Sequence, residues 1–224
     1  MKALLYKEFK LAMHPICYVF VALFPFMTLI PAYPLAVSFI YLLAAYPILF
    51  LGANKGQQSN DLLFSTLLPV RKKDIVMARI ATVLIMQVVF IALMSALHPL
   101  ARIIAESIPE SKIPGLGLNG FVSVVAIAIV GFAIADFIFF PIYYRNGRSI
   151  VLSTLLTIFG FILYLAIFTI IIPYIPGCEG YSKLLCDSGI GIQFAFLGGA
   201  IAISFVAHFL LYKISSKQLE QVDF

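Results

Sequence analysis

The sequence predicts an all-α membrane protein: six transmembrane helices, an N-terminal interfacial amphipathic helix, a short cytoplasmic helix, and both termini in the cytoplasm. Three observations predict it. The 224 residues are 62% hydrophobic and only 11% charged, with a mean hydropathy of +1.07, whereas soluble domains run near 45–50% apolar and about 25% charged. Six apolar runs approach the roughly 17–25 residues that a spanning helix needs. The basic residues also fall almost entirely on alternate connecting segments.

The chain reads as one transmembrane domain, 1–224. Residues 1–14 place Leu4, Leu5, Phe9 and Leu11 among Lys2, Lys7 and Lys10, the pattern of a helix lying along the inner interface. No short apolar core with a small-residue cleavage site follows, so no cleavable signal is expected. Residues 16–51 hold the first two spans, about Ile16–Ala32 and Leu35–Leu51, joined by the turn PAYP. Pro25 and Pro47 interrupt them, which membrane helices tolerate when neighbours satisfy the freed carbonyls. Residues 52–79 form a polar island. The third span is 80–97. An outer segment, 98–120, contains ARIIAESI, in which Arg102 and Glu106 stand four apart on one face of a short outer helix. Residues 121–172 carry the fourth span (Phe121–Pro141) and the fifth (Ile150–Ile172). A Gly- and Pro-rich outer loop, 173–189, leads to the sixth span, 190–212, and a cytoplasmic tail, 213–224.

The positive-inside rule sets the orientation. With the N-terminus inside, the inner segments hold Lys2, Lys7, Lys10, Lys55, Arg71, Lys72, Lys73, Arg79, Arg145, Arg148, Lys213 and Lys217, and the outer ones only Arg102, Lys112 and Lys183. The net charge of +5 then reads as cytoplasmic loops against membrane lipids, not as a nucleic-acid surface.

Catalytic signatures are missing from the sequence. Nothing matches a phosphate-binding G-x-x-x-x-G-K-[ST] loop, HExxH or GxSxG. His14, His98 and His208 fall in different layers, so no shared metal site is expected, and His208 reads as packing against a polar neighbour.

The island Asn54–Arg79, NKGQQSNDLLFSTLLPVRKKDIVMAR, is the most distinctive stretch. Asn60 can cap a helix with Asp61 in its first turn, where the dipole favours negative charge. Leu63 and Leu67 share one face, Phe64 and Leu68 an adjacent one, and Pro69 ends it. Read from its residues alone, this is a small apolar-faced helix at the cytoplasmic surface. It either anchors its loop or meets a partner.

The same residues resemble the loop between the second and third spans of ABC-2-type permeases, the membrane subunits of one class of ATP-driven transporter. The matching pattern is Asp61, the apolar stretch Leu62–Leu68, Pro69, Arg71, the apolar stretch Ile75–Ala78, and Arg79. The N-terminal KEFK, the turn FPIYYRNGRS (140–149) and the tail YKISSKQLEQVDF are similar to family elements as well. The resemblance implies a permease without its own ATPase and so no enzyme activity in this chain. It implies no cofactor here, with ATP and magnesium on a partner ABC ATPase, the nucleotide-binding subunit. Asp61–Leu68, capped by Asn60, would be the coupling helix seated on that subunit. Leu63, Phe64, Leu67 and Leu68 would be its anchors and Asp61, Arg71 and Lys72 its rim charges. A second permease subunit, in a homodimer or heterodimer, is implied too. The small size resembles peptide exporters of the phenol-soluble-modulin kind.

Two further features stand outside that pattern. Asp136 lies within the fourth span, where a carboxylate costs about 2.5–3.5 kcal/mol on insertion scales and needs a partner or water. It reads as a structural carboxylate paired with a polar group, or as a substrate-path or gating residue. Cys178 and Cys186 share one outer loop, as a disulfide or as two free thiols. Gly198, Gly199 and nearby alanines read as a close-packing helix face, with Gly131 and Gly160 in similar roles. The functional expectation is therefore an exporter permease for an amphipathic or hydrophobic cargo, a peptide in first place, in the cytoplasmic membrane. The competing reading is a membrane scaffold or assembly factor.

Overall fold

A computed structural model describes residues 2–13, 15–29, 37–38, 41, 70–107, 120–146, 150–167 and 190–221. Every regular element among these residues is helical. The N-terminal helix α1 (Lys2–Lys7) continues as a π-helical turn through Ala12, and α2 (Pro15–Leu23) continues as a 3₁₀ turn through Leu29. The two stretches meet at a bend of 85°. Four longer helices follow: α3 (Lys72–Glu106), α4 (Phe121–Asn146), α5 (Ile150–Ala166) and α6 (Ile190–Gln221).

Three of these, α3, α4 and α6, are long and apolar enough to cross a membrane, and the bent α1–α2 pair would make a fourth candidate. Helix α5, at 17 residues, rises about 25 Å, just short of a hydrocarbon core near 30 Å. The starts expected at Phe121, Ile150 and Ile190 coincide with the starts of α4, α5 and α6. Helix α4 runs past the expected end at Pro141 to Asn146, and α3 and α6 depart further. Helix α3 begins at Lys72 and runs unbroken through Pro99 to Glu106, so residues 98–106 extend the third span and form no separate outer helix. Helix α6 runs past Tyr212 to Gln221. The physical reason is the same at both places: leaving the apolar zone does not end a helix, because Arg, Lys, Gln and Glu are good helix formers. Pro99 forfeits one backbone bond near a helix end, where water can serve the freed carbonyl.

Side-chain pairs fix the helix directions. Arg79 meets Tyr143, Gln87 meets Asp136, and His98 stacks on Phe121, so α3 and α4 are antiparallel. Tyr164 reaches the Ile127 carbonyl at 3.0 Å and Phe161 crowds Gly131, making α5 antiparallel to α4. Asp136 meets His208, and Val124 and Ile127 cluster with Phe196, so α6 is parallel to α4. Successive long helices that alternate in direction are what consecutive spans must do. Lys73 pairs with Glu220 at 3.3 Å, so the start of α3 and the end of α6 share one end of the bundle. The N-terminal segment reaches that end too, through Glu8.

Helix α4 is the hub: 61% of its apolar window is buried, against 39% for α3 and 11% for α6. The core is aromatic. Tyr41 stacks on Phe90 at 4.1 Å between centroids and meets Phe132 edge-on, and Phe132 meets Phe90 the same way. Helices α4 and α5 approach closely at Gly131, where a Cβ would lie 2.3 Å from a ring atom of the buried Phe161, and at Gly160, where a Cβ would lie 2.3 Å from the end of Ile138. Gly198 and Gly199 differ from their expected role: a Cβ at either would meet nothing within 4 Å. Their face is not a packing face among the described residues.

Candidate functional site

The sequence-expected coupling residues Asn60, Asp61, Leu63, Phe64, Leu67, Leu68 and Pro69 lie outside the described residues, as do Cys178 and Cys186. Arg71 stands exposed just ahead of α3, its carbonyl accepting the Asp74 and Ile75 amides. Lys72 opens the helix, and Asp74 in the first turn complements the helix dipole. The described chain after the island enters a helix of 35 residues at Lys72.

Seven residues into α3, Arg79 turns inward. Its Nε donates to Glu8 Oε2 at 3.0 Å and its Nη1 to the Tyr143 hydroxyl at 3.2 Å. The other Glu8 oxygen faces Lys7 Nζ at 3.5 Å. Lys7, Glu8, Arg79 and Tyr143 are all buried. Together they bind α1, the base of α3 and the end of α4 into one charged knot. The sequence pattern singled out Arg79 as the last residue of a motif but gave no sign of its partner, 71 residues away. The one available signal was an acid, Glu8, within an otherwise basic interfacial helix.

A second polar cluster lies two turns deeper. Asp136, with 1% of its surface exposed, accepts at Oδ2 from Gln87 Nε2 at 2.9 Å and contacts His208 Nε2 at 3.0 Å. His208 Nδ1 lies 2.7 Å from the Ser204 carbonyl. A carbonyl only accepts, so this geometry assigns a proton to Nδ1. One further proton must then lie between Nε2 and Oδ2. Whichever atom carries it, the Asp–His pair sums to zero charge. This is the partner that the cost of an intramembrane carboxylate demands, and it joins two expectations formed separately, a paired Asp136 and a His208 against a polar neighbour.

Beside this cluster, α3, α4 and α6 enclose a cavity of about 470 Å³. Gln87, Ser204 and His208 supply its polar end, and Ile91, Phe132 and Phe205 are among its apolar walls. Elsewhere, Cys17 is buried within the core. No three His, Cys, Asp or Glu side chains come together as a metal site among the described residues.

A family model described as "ABC-2 family transporter protein" matches residues 3–218. No curated protein and no solved structure matches the chain.

Proposed function

The chain belongs to the ABC-2 transporter family, a multi-pass membrane component by its match and its apolar helices, and from that premise we propose that it is the permease subunit of an ATP-binding-cassette exporter. It moves an amphipathic or hydrophobic cargo, a peptide in first place, outward across the cytoplasmic membrane. A separate ABC ATPase carrying ATP and magnesium drives it, and a second permease subunit, identical or related, completes the pathway. Both termini and the island 52–79 face the cytoplasm.

The observation that carries this reading is the family match over nearly the whole chain. The geometry of α3 suits it. A push on Asn60–Leu68 passes through Arg71 directly into a helix about 52 Å long. Through the Arg79 knot it also reaches α1 and α4. Leu63, Phe64, Leu67 and Leu68 seat the coupling helix in a groove of the ATPase, and Asp61, Arg71 and Lys72 set its register. Cargo with few charges fits spans that carry few.

The test is co-purification with the nucleotide-binding subunit that pairs with this permease, with hydrolysis and export measured in proteoliposomes. Wild type is expected to form a stable complex. Leu67→Asp is expected to lose the complex or its coupled export by about tenfold or more, as removal of an interface anchor does, while inserting normally. A Leu67→Asp protein that binds and exports like wild type would overturn the coupling-helix assignment.

A further inference from the structure

Three cations stand together at the basic end of the bundle. Arg145 lies in the last turn of α4, and Lys213 and Lys217 lie near the end of α6. All three are exposed. None pairs with a carboxylate among the described residues, whereas Lys7, Lys73 and Arg79 each do. Glu220, one turn beyond Lys217, is already engaged by Lys73. Helix register brings the three cations together. Helices α4 and α6 are parallel, and the 72-residue offset at which Asp136 meets His208 also sets Arg145 level with Lys217. Lys213 Nζ lies over the Phe209 ring, 4.5 Å from its centroid, so this ammonium rests on the rim of the apolar surface.

The cations head an apolar groove. Between α4 and α6 lies a space of about 550 Å³, lined by Ile134, Phe137 and Ile138 on one side and Ile203, Val206 and Leu210 on the other, with no polar side chain in its lining. Its volume falls within the roughly 300–1,000 Å³ of ordinary ligand pockets. Ile203 and Val206 are themselves exposed, so the groove opens sideways into the bilayer. At 3.6 residues per turn, Arg145 follows Ile138 and Lys217 follows Leu210 by two turns, on the helix faces that carry the groove. Lys213 and Lys217 lie about 5 Å and 10 Å beyond Leu210 along α6. The polar layer between hydrocarbon and water is about 5–8 Å deep on each side, so the groove ends and the charges begin where acyl chains give way to phosphates.

Charge complementarity selects the occupant. An uncharged chain would fill the groove and leave three cations uncompensated. A zwitterionic headgroup would bring its own ammonium against them. An acidic protein surface would meet the charges and leave the groove. We infer that this groove is a binding site for an anionic phospholipid, with an acyl chain along Ile134, Phe137, Val206 and Leu210 and the phosphate among Arg145, Lys213 and Lys217. The site needs neither the ATPase nor transport.

The chain contains no tryptophan, so a single introduced one reports on its surroundings. Phe137→Trp places it on the groove wall. Phe159→Trp places it on an exposed face of α5 at similar depth, because α5 meets Ile138 at the adjacent Gly160. In nanodiscs, chain-brominated phosphatidylglycerol is expected to quench Phe137→Trp saturably, at a mole fraction at least about tenfold below that of phosphatidylcholine with the same brominated chains. Phe159→Trp is expected to respond to the two lipids equally and without saturation. Lys213→Gln with Lys217→Gln is expected to remove the preference. Lys2→Gln with Lys10→Gln, which removes as much charge from α1, is expected to leave it. Should the first pair fail to insert, Arg145→Gln reads the same site from α4 and is expected to weaken the preference. Equal, linear quenching of Phe137→Trp by both lipids would overturn the site. So would equal loss of preference in the two lysine pairs, which would mean diffuse attraction only. Displacement by soluble glycerol phosphate would assign the cations to a free phosphate and overturn the lipid. Loss of ATPase co-purification in Lys213→Gln with Lys217→Gln, without any lipid preference in the parent, would give the patch to the protein partner instead. None of these results bears on the coupling-helix assignment, which is tested at Leu67.

Discussion

The two buried polar clusters lie on the same helix, with Arg79 and Gln87 only about 12 Å apart along α3, yet they handle charge in opposite ways. The knot at the base collects Lys7, Glu8 and Arg79 as formal ions with Tyr143 alongside. The deeper cluster collects Asp136, Gln87 and His208 around a pair that sums to zero. Near the membrane surface, headgroups and water compensate part of a residual charge. Deeper, nothing does, and only a neutral sum is tolerated. The first cluster therefore suits joining elements that must move together, and the second suits holding a polar surface at depth without attracting ions.

The largest expected effect comes from breaking the charged knot. Arg79→Leu strands Glu8 in a buried site with Lys7 as its remaining partner, and removing one member of a buried pair costs about 3–5 kcal/mol. The unfolding midpoint in micelles should fall accordingly, and protease cutting at the α1–α2 bend should rise. Adding Glu8→Gln should recover part of the loss, because it removes the stranded charge; a double-mutant cycle measures that coupling. Full stability of Arg79→Leu would dissolve the distinction between the clusters.

Asp136→Leu should cost less, about 1–3 kcal/mol, since it orphans the neutral hydrogen-bonding groups of Gln87 and His208. Asp136→Asn, which can accept from Gln87 with its amide oxygen and donate its amide N–H to the bare His208 Nε2, should fall well below that in the same unfolding assay. A cost for Asp136→Leu above that of Arg79→Leu would reverse the ranking.

Gly131→Ala is a steric control with no charge change. The new methyl meets the buried Phe161 ring at 2.3 Å and Tyr164 at 3.2 Å, and such overpacking costs typically about 1–3 kcal/mol. Gly198→Ala has open space and should be neutral or slightly stabilising, because alanine is the better helix former by about 1 kcal/mol.

The smallest effect belongs to Lys73→Ala. Its pair with Glu220 joins the same two helix ends, but both side chains are about half exposed. Such pairs contribute about 0–1 kcal/mol and fade with salt. An effect as large as that of Arg79→Leu would show that position at the basic end, not burial, gives the knot its strength.

Hydropathy marked three of the helices long and apolar enough to cross a membrane, because burial in lipid is a property of each residue's own side chain. It placed the starts of α4, α5 and α6. It could not place either end of α3 or the ends of α4 and α6, since hydropathy reports where the bilayer stops, and helices stop only where their backbone bonds do. The need for a partner at Asp136 was legible from the cost of an acid at that depth. The partner's identity was not, and the Glu8–Arg79 pair went unforeseen for the same reason.

The sequence by itself determined the solvent, the helical class and, through its loop motif, the family that the chain belongs to. Composition and local pattern suffice for those because each is set within one turn or one run of residues. Only the tertiary structure decided which polar groups meet, since the 71- and 72-residue separations of Glu8–Arg79 and Asp136–His208 close through helix direction and offset. It also decided that the tight glycines are Gly131 and Gly160 and not Gly198, because a small residue becomes a contact only when another helix crosses it. The cavity beside His208 likewise exists only through the relative placement of three helices, which no single segment encodes.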